Sequence, residues 1–585
     1  MSESNSKFSY STFKRVVSLL ENHKKIFYQS VLLSSLLAIV SVARPFCIKQ
    51  AVDVDYVNKD YNGLILTLSI MGALLLAEVV FQLLFIFITN LVAENIILDL
   101  RVKLYEKIMG FKMAYFDKTP NGVIVTRSVS DLETIKEIFN DGILVIFGDM
   151  QRIIFIVLSM YFSSWKLATI VVLILPLMIF ITRYFQKTLK VIFQNERSQV
   201  AKLNAFVQER LSGMSIIQLF NREKIEYQNF FSINQDLNKA HLKTVFVFSI
   251  LFPTVELVSS LAIAALIVVG GYSSLKNADV SPGDIMSFIV FINMLIKPIR
   301  FIAEKFNNMQ RGLVSSERVF EVLDTSHSEA DGQNQLTERI KGNVRFESVH
   351  FSYNKTEPIL KGISFDIEPG QTLAIVGSTG AGKSTIINLL NRFYQIDSGK
   401  IFIDQHDLYS LSVQDIRSQI GVVLQDVFLF NDTILNNLSL GDKNISLEKV
   451  IQAAKEIELD DFIESLPGGY HFKVSERGGS LSVGQRQLIS FLRAYLYNPS
   501  ILVLDEATSS IDTYTELKIQ TATKKLTKGR TSIIIAHRLA TVMDADKILV
   551  MEKGEIVEVG THKSLLENKE GVYRKLFEKQ LENSK

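Results

Sequence analysis

The run Gly377–Thr385 (GSTGAGKST) has residue types and spacing suited to holding phosphate. It fits the pattern G-x-x-x-x-G-K-[ST], with Gly377, Gly382, Lys383 and Ser384 at the defining positions. Glycines free the backbone of Gly377, Ser378, Thr379, Gly380, Ala381 and Gly382 to turn N–H groups inward around phosphate oxygens. Lys383 adds a point charge, Ser384 can reach a divalent cation, and Thr385 closes the run. An apolar strand-like stretch, Thr372–Val376, precedes it, and a helix-like stretch, Ile386–Leu390, follows, which is the context such a loop needs. A second group lies at Ile501–Glu506 (ILVLDE), a buried strand pattern ending in two acids. Open α/β sheets place ligands at such carboxyl ends. Asp505 there suits Mg²⁺, and Glu506 suits the orientation or deprotonation of a water attacking a γ-phosphate.

The elements that position these groups alternate short β-rich runs with helical stretches over 342–585. Val344–Phe346, Thr372–Val376, Ile420–Leu424, Ile501–Leu504 and Thr531–Ile535 are the strand candidates. That alternation predicts an α/β domain with a largely parallel sheet. Ahead of it, residues 26–320 hold six long apolar stretches, near 26–48, 64–88, 142–163, 165–184, 245–270 and 283–302. Each covers the ~20 residues that a membrane-spanning helix needs. Residues 1–25 form a separate N-terminal element, with Tyr10–Lys25 patterned as a helix on the cytoplasmic membrane face; packing on protein is the alternative. Residues 321–341 form the linker, polar from Ser326 to Lys341.

Charge agrees with this division. The chain has a net charge of +2, which gives no global bias toward nucleic acid. Lys14, Arg15, Lys24 and Lys25 precede the first span, whereas the short loops expected outside carry Lys49, Lys59 and Lys276. Positive charge marks the cytoplasmic side, so both termini are expected there. With no removable signal and no transit-peptide pattern, a bacterial cell membrane is the expected location. Cys47 is the single cysteine, so an internal disulfide is excluded and packing is its expected role.

Leu481–Gln485 reads LSVGQ, and this stretch resembles the signature of ATP-binding-cassette (ABC) transporters, usually LSGGQ. Other elements of that family stand in its order. Tyr353 resembles the aromatic that stacks on adenine, Gln425 the glutamine that senses metal and water, and Val474–Gly478 a cross-linking loop of exporters. Asp512 ends a D-loop-like SSID, and His537 resembles the switch histidine on the γ-phosphate. Phe116–Gly122 with Arg127 and Asp131, and Glu209–Gly213 with Phe220, resemble the two cytoplasmic loops whose tips, here roughly Asp117–Asp131 and Gln208–Arg222, dock into cassettes. The resemblance implies an exporter of the first ABC type: an α-helical transmembrane bundle of six spans fused to an α/β P-loop ATPase. It implies ATP and Mg²⁺, with Ser384, Gln425 and Asp505 around the metal and Lys383, Gln425, Glu506 and His537 in hydrolysis.

In that family the phosphate loop of one cassette meets the signature of another, here Leu481, Ser482, Val483, Gly484 and Gln485. One loop and one signature per chain imply a working pair. Val483 departs from the usual glycine, which leaves two arrangements: a homodimer, which the otherwise intact motifs favour, and a heterodimer with a degraded sibling. The implied activity is ATP-driven export of an amphiphilic drug, lipid or lipid-like compound. A peptide exporter is the alternative within the family, and a cassette-gated channel or regulator the alternative outside it. Arg44, Glu78, Asp149, Arg152, Glu256 and Asn293 are polar residues inside spans, where charge is costly and functional by default. Asp149 and Arg152, at i, i+3, are expected either to neutralise one another or to meet substrate. Lys297 and Arg300, near the cytoplasmic end of the sixth span, are expected to snorkel to the interface, with attraction of anionic head groups in an inner cavity as the alternative, and Pro253 and Pro298 to kink their helices.

Overall fold

The computed structural model describes residues 10–276, 280–326, 332, 334–336, 338–505, 512–536 and 542–583. The chain divides into two compact units, Met1–Met109 with Thr119–Ser326, and Gly110–Lys118 with His327–Lys585.

The first unit is helical. Its principal helices are α1 (Tyr10–Ser18), α2 (Lys24–Gln50), α3 (Tyr61–Met109), α4 (Leu144–Ser163), α5 (Trp165–Ser212), α6 (Glu223–Leu275) and α7 (Pro282–Asp324). Among the described residues, five helical stretches are long and apolar enough to cross a membrane: Tyr10–Tyr56, Tyr61–Met109, Asn121–Ser163, Trp165–Ser212 and Glu223–Leu275. The sixth expected span falls in α7, whose counted apolar stretch, Pro282–Ile296, is shorter. Apolar side chains of α3 such as Leu76, Val79 and Leu83 lie exposed. Helices suit that setting because they satisfy their own backbone polar groups where water cannot. α6 and α7 run on through Pro253 and Pro298 as unbroken helices, whereas the non-helical backbone sits at Gly142, inside the π-turn Ile138–Ile143 that leads into α4. A capping box at Ser281 and Asp284 starts α7, which extends to Asp324, past the linker boundary expected at 321.

One sequence expectation changes here, and the N-terminal helix gains a partner on α7. α1 packs on protein: Val16 is fully buried, and Arg15 forms a two-pronged ion pair with Asp324 at 2.5 and 2.7 Å while its guanidinium lies 4.1 Å from the Phe320 ring centre. The planar fork of arginine matches a carboxylate and stacks on an aromatic at once. The Asp324 carboxyl is accordingly held below its ordinary range, chiefly by that hydrogen bond. Asp149 and Arg152 do not pair with each other. Asp149 pairs with Lys305 of α7, and Arg152 donates to Glu78 of α3 at 3.3 Å. Interhelical partners satisfy these charges because a one-turn neighbour on the same helix projects alongside rather than across.

The second unit contains two sheets. A four-stranded antiparallel sheet has the order β2 (Leu360–Ile367), β1 (Val344–Phe351), β4 (Ser398–Ile403), β5 (His406–Asp407). A six-stranded sheet has the order β10 (Glu555–Gly560), β9 (Lys547–Glu552), β3 (Thr372–Gly377), β8 (Thr531–Ile535), β7 (Ile501–Asp505), β6 (Ile420–Val423). Its neighbours from β9 to β6 are parallel, and only β10 runs antiparallel. Every residue of β7 and β8 is buried, as expected for parallel strands covered on both faces. One apolar core lies between the six-stranded sheet and helices α9 (Val483–Leu496) and α10 (Thr513–Thr527). The other joins the two sheets around α8 (Lys383–Leu390). The parallel arrangement brings the carboxyl ends of β3, β6, β7 and β8 to one edge, where the chemistry-bearing residues gather.

Candidate nucleotide site

The phosphate loop connects β3 to α8 at that edge. A Cβ at Gly377 would lie 2.2 Å from the backbone oxygen of Met551, and one at Gly382 would lie 2.8 Å from Leu360 Cδ2 in a left-handed backbone (φ +100). Glycine is therefore required at both positions, and the loop passes directly into the first turn of α8. Lys383 begins α8, is 7% exposed, and donates from Nζ to the carbonyls of Gly377 at 2.7 Å and Ser378 at 3.0 Å. Burial pushes its ammonium down from the ordinary lysine value, and the charge of Asp505 partly restores it. Ser384, the next residue, is exposed.

Asp505 ends β7 opposite Ile535 of β8 and is 9% exposed. Gln425 lies two residues beyond β6, the neighbour of β7, and is exposed. A serine hydroxyl, an amide oxygen and a carboxylate are hard oxygen donors, the kind Mg²⁺ takes alongside phosphate oxygens and water. The residues therefore fit both ATP and Mg²⁺. Glu506 and His537 lie outside the described residues; in the chain they follow Asp505 and Ala536, the latter next after β8.

Tyr353 is 39% exposed and is fixed edge-on between Phe351 and Tyr394, each ring centre 4.9 Å away. Its hydroxyl lies 3.3 Å from Thr385 Oγ1 and accepts from Asn388 Nδ2 at 3.1 Å. Thr385 thus serves the aromatic rather than the loop interior. Asn388 was not among the sequence candidates; its signal is the i, i+3 spacing from Thr385 on one face of α8.

The signature is the start of α9. Ser482 is its N-cap, accepting from Gln485 N at 3.2 Å, while Gln485 Oε1 accepts from Ser482 N at 2.9 Å. This reciprocal capping box explains the serine and the glutamine of the motif in purely local terms. Leu481 and Gly484 are buried beneath it. Val483 occupies the first helical position, is 46% exposed, and is absent from the positive-φ residues of the chain. Its backbone makes no demand for glycine, and no preceding helical turn crowds its branched side chain. Val483→Gly is expected to change helix stability by under about 0.5 kcal/mol and to leave ATP turnover near that of the parent, measured as steady-state phosphate release. Arg486, which directly follows the signature, donates to Leu481 O at 2.9 Å and Gly478 O at 3.3 Å, and so ties the Val474–Gly478 loop to α9. Asp512 caps α10 by accepting from Thr515 N at 2.9 Å, which holds its carboxyl below the usual range.

In the first unit, the two expected loop tips contain the short helices Asn121–Ser128 and Met214–Leu219. Arg127 pairs with Glu321 at 3.2 Å, and Asp131 accepts from Ser315 at 2.8 Å and Arg318 at 3.2 Å, so these motif residues brace their loop against α7. Ile216, Leu219 and Phe220 stand exposed.

A phosphate loop after β3 and an acid-ended strand, β7, one strand removed from it across β8, on the same chain as an array of membrane-length helices, define a nucleotide-driven membrane transporter. The comparisons sharpen this. Residues 27–299 match the family model described as the ABC transporter transmembrane region, and residues 360–509 match that described as ABC transporter. The chain is 34% identical over 581 residues to the ATP-dependent lipid A-core flippase of Syntrophus aciditrophicus, covering 98% of this chain and 95% of the relative. It is 36% identical over 514 residues to a fatty acid ABC transporter ATP-binding/permease protein of Mycobacterium bovis, covering 88% and 81%. It is 36% identical over 532 residues to a probable multidrug resistance ABC transporter of Bacillus subtilis, covering 90% and 78%. Among solved structures, a bacterial Atm1-family ABC exporter with ATP bound superposes with a TM-score of 0.76 at 27% identity, covering 95% of this chain and 98% of the other. The chain belongs to the ABC transporter family, as a half-transporter of the exporter type with its membrane and ATPase parts fused. It is a multi-pass membrane protein and a transport ATPase.

Proposed function

We propose that two copies of this chain form an exporter that couples ATP hydrolysis to outward movement of an amphiphile (a drug, lipid or lipid-like compound) across a bacterial cell membrane, with the termini and cassettes cytoplasmic. The observation that carries this is the single phosphate loop, Gly377–Ser384, and single signature, Leu481–Gln485, on one chain. Each copy thereby supplies half of two nucleotide sites. Amphiphilic cargo is supported by the lipid, fatty-acid and multidrug designations of the relatives.

In this reading, the loop amides and Lys383 hold the β- and γ-phosphates, Tyr353 packs on the adenine, and Ser482 with the first amides of the partner's α9 faces the γ-phosphate. Ser384, Gln425 and Asp505 would hold Mg²⁺, which when bound would offset charge on the phosphate oxygens. Glu506 takes the proton of the attacking water, Gln425 orients that water, and His537 steadies the γ-phosphate. Intact ATP joins the cassettes, and hydrolysis releases them.

The test is complementation. Lys383→Met damages the phosphate loop and Ser482→Arg the signature. Expressed separately, both variants are expected to be inactive; co-expressed, they form mixed dimers with one intact composite site and recover ATP hydrolysis. The parent chain purified alone should hydrolyse ATP in liposomes, and an obligatory sibling chain would leave it silent. Absence of recovery on co-expression rejects shared sites.

A further inference from the structure

We propose that Arg44 and Arg152 form a recognition site for an acidic head group on the transported amphiphile, with Glu78 as the resident counter-ion that the head group relieves. This deepens the export reading and rests on it.

Three helices meet at this point. Arg44 of α2 lies 2.9 Å from Glu78 of α3, and Arg152 of α4 lies 3.3 Å from the other oxygen of the same carboxylate. All three residues fall within the apolar stretches that suit membrane spans, where a charge is costly and is retained for a function. A tie that only fastened helices would balance its charges, because breaking or leaving unpaired one member of a buried ion pair is strongly unfavourable. This cluster does not balance. One carboxylate serves two guanidiniums, and the Nε of each arginine is buried with no hydrogen-bond partner. One turn along α4 from Arg152, Asp149 is already engaged by Lys305 of α7, so it is not the missing anion. Among the described residues, one carboxylate, Glu78, faces the two cations Arg44 and Arg152, an excess of one positive charge.

The excess charge is reachable. The side chains of Arg44 and Arg152 are 25% and 29% exposed, whereas Glu78 is 13% exposed, so the arginine side chains are the more accessible members of the cluster. Guanidinium forks bind planar or tetrahedral oxyanions through paired N–H donors, which suits both carboxylate and phosphate. About one helical turn from these charges stand apolar side chains that are exposed or half-buried, among them Leu75 and Phe81 on α3 and Phe155 on α4. An acid head group with an alkyl tail is the ligand chemistry that matches a net cation framed by apolar surface.

The full-length protein in lipid nanodiscs is titrated with dodecyl phosphate, dodecanoate, dodecyltrimethylammonium and dodecyl maltoside, which share a tail and differ in head group. ATP hydrolysis and the thermal unfolding midpoint are both read. One or both acidic compounds are expected to stimulate hydrolysis and raise the midpoint more than the neutral and cationic ones; which acid acts distinguishes a phosphate from a carboxylate cargo. Arg152→Gln and Arg44→Gln should weaken the acidic response about tenfold in half-maximal concentration, with no change for the maltoside. Glu78→Gln should move it the other way. If Arg44→Gln fails to assemble, Arg44→Lys keeps the charge without the fork and should show a smaller shift of the same sign. Equal responses to all head groups, or unchanged acidic responses in the arginine variants, overturn the recognition site while leaving ATP-driven export standing. Loss of complementation between cassette variants would instead strike the export reading.

Discussion

Glu506→Gln is expected to lower steady-state ATP turnover by about 10²–10⁴-fold, the usual contribution of a positioned general base. The substitution keeps the size and polarity of the side chain and removes only its ability to accept a proton. ATP binding should survive, because the loop amides, Lys383 and the signature are untouched. The variant should therefore hold its cassettes together in ATP and accumulate as the closed pair, visible by cross-linking or by retained nucleotide after gel filtration. Asp505, the preceding residue, ends a fully buried strand, so the backbone entering position 506 is anchored by β-sheet pairing to β8. Turnover at the parental rate in Glu506→Gln would move the base elsewhere.

The second large effect is expected from Lys383→Met. The ammonium is 7% exposed and donates to two loop carbonyls. Methionine fills similar volume, and the loop shape is set by Gly377 and Gly382, where added side-chain atoms would collide with Met551 O and Leu360. The fold should therefore persist while the charged donor is lost. Hydrogen bonds to charged groups are worth about 1.5–3 kcal/mol, so nucleotide affinity should fall about tenfold to a hundredfold. Equilibrium binding of a fluorescent ATP analogue measures this, and circular dichroism checks that the fold is kept. An unchanged affinity with an intact fold would mean that the lysine serves only the loop carbonyls.

The intramembrane charges behave differently from these motif residues. Their spacing along the chain suggested a pair between Asp149 and Arg152, and that pair does not form. Partners on α3 and α7 win because they project across the helix interface, and a buried charge is stabilised most by the nearest directed counter-ion. The N-terminal helix makes the same point. Its basic, amphipathic pattern fits a membrane surface, and the structure adds an ion pair from Arg15 to Asp324 of α7 and burial of Val16.

Local chemistry was legible wherever one short segment contains its own explanation. The phosphate loop carries its glycines, lysine and hydroxyl in one turn, and the central strands β3, β6, β7 and β8 show as apolar runs because parallel strands are buried on both faces. The strands β2, β4, β5, β9 and β10 were not identified. β10 alternates half-buried and exposed residues at the edge of its sheet, and β5 is only His406–Asp407, so neither gives a strong pattern.

By itself the sequence determined the family and the two kinds of unit and singled out the candidate residues of a nucleotide half-site, because those depend on contiguous motifs and on runs long enough to span a bilayer. Tertiary structure alone decided that Tyr353 is hooked to Thr385 and Asn388, that Arg486 ties down the Val474–Gly478 loop, and that Glu78 is shared by Arg44 and Arg152. Each of those joins residues from separate elements, and a side chain's partner is fixed by how helices and strands pack in space, which residue order along one chain does not encode locally.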